Sequence, residues 1–121
     1  MVRIRIKRIY EPAEASDGFR VLVDRLWPRG LKKESVRIDL WAKDLAPSTA
    51  LRQWVHKQPE NWPEFEDRYI RELQEYSGMN EVMAQLRSQK VVTLLYAARN
   101  EHRNHALVLQ DFINKTLQAS S

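Results

Sequence analysis

Hydrophobic and charged residues alternate strictly over residues 2–7, where Val2, Ile4 and Ile6 interleave with Arg3, Arg5 and Lys7. A period of two sends successive side chains to opposite faces of a strand, so this segment predicts a strand with one buried face. Its charged row discourages pairing with a further chain and suits a place at or near a sheet edge. Glu11-Pro12 and Ser16-Asp17-Gly18 punctuate the connection that follows. Phe19 to Val23 predicts a second strand, apolar on both faces at Val21-Leu22-Val23 and broken off at Asp24. Pro28 and Gly30 then impose a turn, and Lys32-Lys33-Glu34 reads as a solvated segment.

Beyond residue 46 the period changes. Residues 47–57 predict a short helix started at Pro47 or Ser48, with Leu51, Trp54 and Val55 as its apolar stripe and Pro59 past its end. Trp62, Phe65, Tyr69, Ile70, Leu73 and Tyr76 recur at steps of three and four, the spacing of one buried helical face. Pro63 fits the first turn of that helix, where its missing N–H would go unbonded in any case. Glu64, Glu66 and Asp67 complement the positive end of the helix dipole. Glu64 with Arg68, and Asp67 with Arg71, stand in the favourable i,i+4 order, and Gly78 is expected to stop the helix. A shorter helix is expected from Glu81 to Ser88. Val91 to Tyr96 is a continuous apolar run, as in a central parallel strand covered on both faces. A last helix, from Asn104 to Gln118, would bury Ala106, Leu109, Phe112, Ile113 and Leu117.

The order strand, strand, helices, strand, helix predicts one α/β domain over residues 1–121. It would be a small, mostly parallel sheet flanked by helices and joined by right-handed crossovers. In such sheets ligands sit beyond the carboxyl ends of the strands. Two of those ends are rich in functional groups here: Asp24 to Gly30, and Ala97 to His105.

Composition narrows the chemistry. A chain of 121 residues, 43% hydrophobic, is long enough for a core without disulfide or metal staples. With no cysteine, thiol nucleophiles, thiolate-bound zinc and iron–sulfur clusters are excluded. No apolar run approaches the roughly 18 residues of a membrane span, and Val2 to Lys7 lacks the apolar region of a signal peptide; a cytoplasmic protein without membrane contact is expected. The net charge of +4 is unevenly placed: residues 1–57 carry 13 Lys/Arg against 7 Asp/Glu, and residues 58–121 carry 7 against 9. A basic half beside a mildly acidic one points to an anion-facing surface, or to chance and solubility alone.

At the first strand end, Arg25 and Arg29 are placed to fork onto a phosphate or carboxylate, with Trp27 beside them and Asp24 as acid–base candidate. The competing structural account has Asp24 accepting turn amides and pairing with an arginine while Trp27 plugs the core. At the second, Tyr96, Arg99, Asn104 and His105 lead into a helix start, where free amides and the dipole favour an anion. Asn104 equally suits a plain helix N-cap, and His105 is either a proton carrier or a partner for backbone. His102 and His105 lack a third ligand, and His56 is remote in sequence, so no metal is assigned. Three glycines leave no phosphate loop or dinucleotide fingerprint, and no cofactor is assigned. Trp27 and Trp41, interleaved with Lys32, Lys33, Arg37 and Lys43, invite a base-stacking reading, though tryptophans at this spacing more often pack the core.

Val23-Asp24-Arg25-Leu26-Trp27-Pro28-Arg29-Gly30 resembles the signature of the YeaO-like family, an uncharacterised bacterial family built on a domain of unknown function. The resemblance continues through Trp41 and Lys43, Ala46-Pro47-Ser48, Leu51-Arg52 and Thr93 to Ala98, closing at Asn104-His105-Ala106. It spans nearly the whole chain and implies a compact α/β fold with no agreed activity. Longer relatives in the family carry a cysteine-histidine-arginine segment after the last strand. Arg103-Asn104-His105 stands near that place here, so no thiol-dependent role carries over. The leading expectation is an enzyme or small-molecule-binding domain for a phosphate-bearing or otherwise anionic ligand. The rival is a binding module for nucleic acid or a protein partner using the basic half. No pattern demands a particular oligomeric state.

Overall fold

The computed structural model describes residues 1–119. Four strands, β1 (Arg3–Arg8), β2 (Phe19–Leu22), β3 (Leu40–Trp41) and β4 (Val91–Tyr96), form one sheet in the order β1-β4-β2-β3. Every pairing is parallel, with Ile4 beside Val92 on one flank of β4, Val21 beside Leu94 on the other, and Leu22 beside Trp41 at the far edge. The alternating first segment is an edge strand and the continuous apolar run is internal, as their patterns predict. The two-residue β3 has no sequence period to betray it.

Four helices follow the predicted positions: α1 (Thr49–Lys57), α2 (Trp62–Glu75), α3 (Met79–Arg87) and α4 (His105–Ala119). Ser48 caps α1 by accepting the Leu51 amide at 3.2 Å, and Asn104 accepts the Leu107 amide at 3.0 Å at the start of α4. Glu64 pairs with Arg68 on the surface of α2. Gly78 departs from expectation. The helix ends at Glu75, and Gly78, at φ −86°, opens α3 instead. A Cβ at Gly78 would meet the hydroxyl end of the half-buried Tyr76 side chain.

The two faces of the sheet are closed by different means. Ile4, Val21, Val23, Val92, Leu94 and Tyr96 point to one face, where they meet buried residues of all four helices, among them Leu51, Phe65, Met83 and Leu109. On the other face a small cluster around Ile9, Leu22 and Leu95 is covered by Trp27, Leu31, Val36 and Ile38 from the segment between β2 and β3, and by Trp41 of β3. Next to that cluster the cover is polar. Arg20 and Asp17 are both buried and form an ion pair, Lys7 reaches Asp17 at 3.1 Å, and the Arg20 Nε donates to the Arg37 carbonyl at 2.7 Å. Thr93 on β4 donates to the Asp17 carbonyl at 2.6 Å, which fastens the β1–β2 connection across the sheet.

Burial alone would raise the pKa of Asp17, but hydrogen bonds from the Glu14 amide, Lys7 and Arg20 outweigh it and hold the carboxyl below its ordinary value. A depressed carboxylate stabilises the fold above its unfolded pKa, and that contribution is lost as pH falls through the folded value. Asp17→Asn should therefore lower stability at neutral pH by about 3–5 kcal/mol, because it leaves a buried guanidinium uncompensated. Denaturant melts should converge for the two proteins as pH drops below the carboxylate range. Gly18, at φ +65°, lies so close to Val91 that a Cβ would strike its carbonyl and stand 2.8 Å from its Cβ. Gly18→Ala should cost at least about 1–3 kcal/mol from the backbone conformation alone, read as a lower urea midpoint.

Candidate functional site

The carboxyl ends of β2 and β4 lie side by side, and the residues just beyond them meet. Val23 continues the ladder by donating to the Leu95 carbonyl at 3.0 Å. Asp24 then turns its Oδ2 to the Ala97 amide at 3.0 Å, tying the two strand ends together. His105, the first residue of α4, brings its Nε2 to 2.9 Å from the Val23 carbonyl and 3.1 Å from Asp24 Oδ1. Both neighbours of Nε2 are acceptors, so that nitrogen carries the hydrogen and Nδ1 keeps the lone pair in the neutral ring. Asp24 Oδ1 is shut off from solvent and completes no hydrogen bond, although the His105 Nε2 stands 3.1 Å away. The two acid–base candidates, 81 residues apart in the chain, therefore share one cleft.

The loop from Ala97 to Asn104 is held from several sides. Arg8 at the end of β1 donates to the carbonyls of Ala98 (2.9 Å) and Ala97 (3.3 Å). Asn100 Oδ1 accepts the amides of His102 and Arg103 at 2.9 and 3.0 Å, and Asn104 Nδ2 returns to the Asn100 carbonyl at 2.9 Å. Tyr96 is buried in the helix-side core, and burial, with Glu101 nearby, pushes its phenol pKa up even though it bonds Asn104.

A cleft of about 580 Å³ opens over these groups, lined by Asp24, Arg25, Arg99, Asn104 and His105 among the residues expected from sequence. Arg25 has a structural share in it. Its guanidinium donates to the carbonyls of Ala46 (3.0 Å) and Pro47 (3.2 Å), fixing the start of α1 against the sheet end. Trp27 and Arg29 do not line this cleft; they border an adjoining hollow with Tyr10 and Pro28. The Trp27 indole donates to the Leu31 carbonyl and packs edge-on to Trp41 at 5.4 Å, and Trp41 in turn donates to the Asp24 carbonyl at 2.8 Å. These two rings close the second core, and Lys33 and Lys43 cover Trp41 at 5.7 and 4.1 Å.

The remaining wall is one that sequence reasoning passed over. Arg52, Val55 and His56 of α1, Trp62 and Phe65 of α2, and Arg103 also line the cleft. Positions 52 and 56 are one helical turn apart and so share a face, a signal present in the sequence. Which way that face turns is decided by tertiary contacts: Glu72 of α2 accepts both the amide (2.8 Å) and the hydroxyl (2.6 Å) of Ser48 and so docks the start of α1. Tyr69 adds a bond from its buried hydroxyl to the Leu45 carbonyl, and burial pushes its pKa well above the ordinary phenol value. Among the described residues Arg52 and Arg99 have no ion-pair partner, and Arg103 lies over the Trp62 ring at 5.7 Å. No cluster of three or more metal-ligating side chains occurs among the described residues, and no helix of theirs is long and apolar enough to cross a membrane.

Comparison with known proteins places the chain in a family. The sequence model described as the inactive DUF488-N3 subclade matches residues 3–121. The chain is 44% identical over 112 residues to the uncharacterised protein YeaO of Escherichia coli K12, covering 93% of this chain and 97% of that one. It is 45% identical, over 93% of this chain and 94% of the relative, to the uncharacterised proteins Mb3100c of Mycobacterium bovis and Rv3073c of Mycobacterium tuberculosis H37Rv. No solved structure matches the chain at a comparable level.

The tie between Asp24 and Ala97 sets a measurable expectation. Asp24→Ala should lower stability by about 1–3 kcal/mol, because it leaves the Ala97 amide unpaired in a part-buried site. Exposed Arg99→Ala should stay within about 0.5 kcal/mol of the parent. Equilibrium urea unfolding of both variants checks the contrast.

Proposed function

The chain belongs to the inactive DUF488-N3 subclade, and from that premise we propose that it is a binding domain for a small anionic ligand held over the carboxyl ends of β2 and β4. The observation that carries the reading is an imbalance of charge inside one concavity. Arg52, Arg99 and Arg103 line it without a carboxylate partner among the described residues, and Asp24, with one oxygen already on the Ala97 amide, is the sole acidic residue in the lining. Guanidiniums left unpaired beside an apolar wall are suited to fork onto a phosphate or carboxylate. The position beyond the strand ends is where ligands of parallel α/β sheets gather.

The family description and the lack of cysteine favour binding over covalent chemistry. Asp24 and His105 then act as the fixed back wall, with His105 Nδ1 as a single acceptor or, when protonated, a further donor. A nucleic-acid role for the basic half gains no comparable support, since Trp27 and Trp41 pack on each other and both indole N–H groups are bonded to backbone.

Thermal melts with inorganic phosphate, sulfate and simple phosphate esters test the reading. A ligand at a hundredfold excess over its Kd adds about 2.7 kcal/mol, which at this chain length raises Tm by several degrees. Arg52→Ala and Arg99→Ala should each reduce that rise without changing the melting point of the free protein. Equal stabilisation of parent and variants would move the site elsewhere.

A further inference from the structure

We infer that the ligand is a phosphate monoester with an aromatic body, rather than a bare oxyanion or an aliphatic ester. The inference rests on the reading of the cleft as an anion site and adds the chemistry of the part that is not charged. A space of about 580 Å³ is of the size that takes nucleotide-like or drug-like molecules, roughly 300–1,000 Å³. An oxyanion alone would engage the arginines and leave the remaining walls wet. Those walls are apolar: Ala46 and Pro47 ahead of α1, Val55 on it, and Trp62 with Phe65 on α2.

Within that wall the aromatic groups are ordered in a tier. Trp62 stacks on Phe65 with ring centres 4.5 Å apart and planes inclined by 30°, and Phe65 leans on the buried Tyr69 at 5.8 Å. Trp62 is only half-buried, so part of its indole surface remains open. Arg103 lies over the same ring at 5.7 Å. At that distance the charge lies within cation–π range of the indole, and the guanidinium N–H groups can still make two-pronged contact with a phosphate. Trp62 is thus where apolar wall meets charge, and a ligand spanning that junction needs an anionic end joined to a flat apolar one. Three unpaired guanidiniums exceed what one carboxylate neutralises, which favours the doubly charged phosphate monoester.

Isothermal titration of the full chain with phenyl phosphate, adenosine 5′-monophosphate, glycerol 3-phosphate and inorganic phosphate tests this. Phenyl phosphate or the nucleotide is expected to bind at least tenfold more tightly than both glycerol 3-phosphate and inorganic phosphate. Uncharged adenosine should give no measurable heat. Trp62→Leu, which keeps an apolar side chain, should shrink the tenfold gap between aromatic and aliphatic phosphates; the comparison on the parent protein stands even if that variant folds poorly. If all four phosphates bind with equal affinity, the anion site survives and its aromatic half is refuted. If none binds, the anion reading falls and this inference falls with it.

Discussion

A parallel sheet presents two faces that must both leave water, and here all four helices gather on one of them. The other is closed largely by chain without regular structure, and backbone in such a cover needs partners for its polar groups. The buried Asp17–Arg20 pair supplies them. Arg20 takes the Arg37 carbonyl on one side and Asp17 on the other, while Asp17 gathers Lys7 and the Glu14 amide. Three stretches otherwise distant on the sheet are thereby fixed to one another. Buried charge is a costly way to close a face, and its merit lies in geometry, since only one arrangement satisfies every group.

That fixed cover acts on the opposite end of the sheet through strand register. With β2 and β4 locked side by side, Leu22 stands level with Leu95, Val23 donates to the Leu95 carbonyl and Asp24 reaches the Ala97 amide. The start of α4 follows, because His105 meets the Val23 carbonyl and Asn104 caps the helix. α1 is brought to the same place by Arg25 from below and by Glu72 from α2. The cleft is therefore assembled from the sheet and from α1, α2 and α4, each held by a polar contact at its end rather than by apolar packing alone.

Much of this was legible in the order of residues. The alternation of Val2 to Lys7, the stripe of α2 and the unbroken run of β4 reported strands and helices because each period is imposed by the geometry of the element. Asp24 and His105 could be placed at strand ends from the pattern, but whether those ends share one cleft depended on β2 and β4 lying side by side, which no local signal shows. Arg20 was not legible as buried: a charged residue next to Phe19 reads as solvent-facing until the connection that covers it is known. β3 is too short to show a period. Arg52 and His56 share a helical face in sequence, yet nothing local says that the face turns to the sheet end. Gly78 invited a left-handed stop because glycine commonly serves there, whereas here it has an ordinary negative φ and opens α3.

The loop from Ala97 to Asn104 carries a consequence of its own. Arg8 holds it from beneath, Asn100 and Asn104 knit it internally, and the Ala97 amide is already bound. A loop tied down in this way has little backbone freedom left to lose, so on the proposed reading the entropic cost of binding would fall mostly on the long arginine side chains of the rim. On the proposed anion-binding reading, selectivity would come from a template fixed in advance, with shape set by the wall and charge met by the exposed guanidiniums.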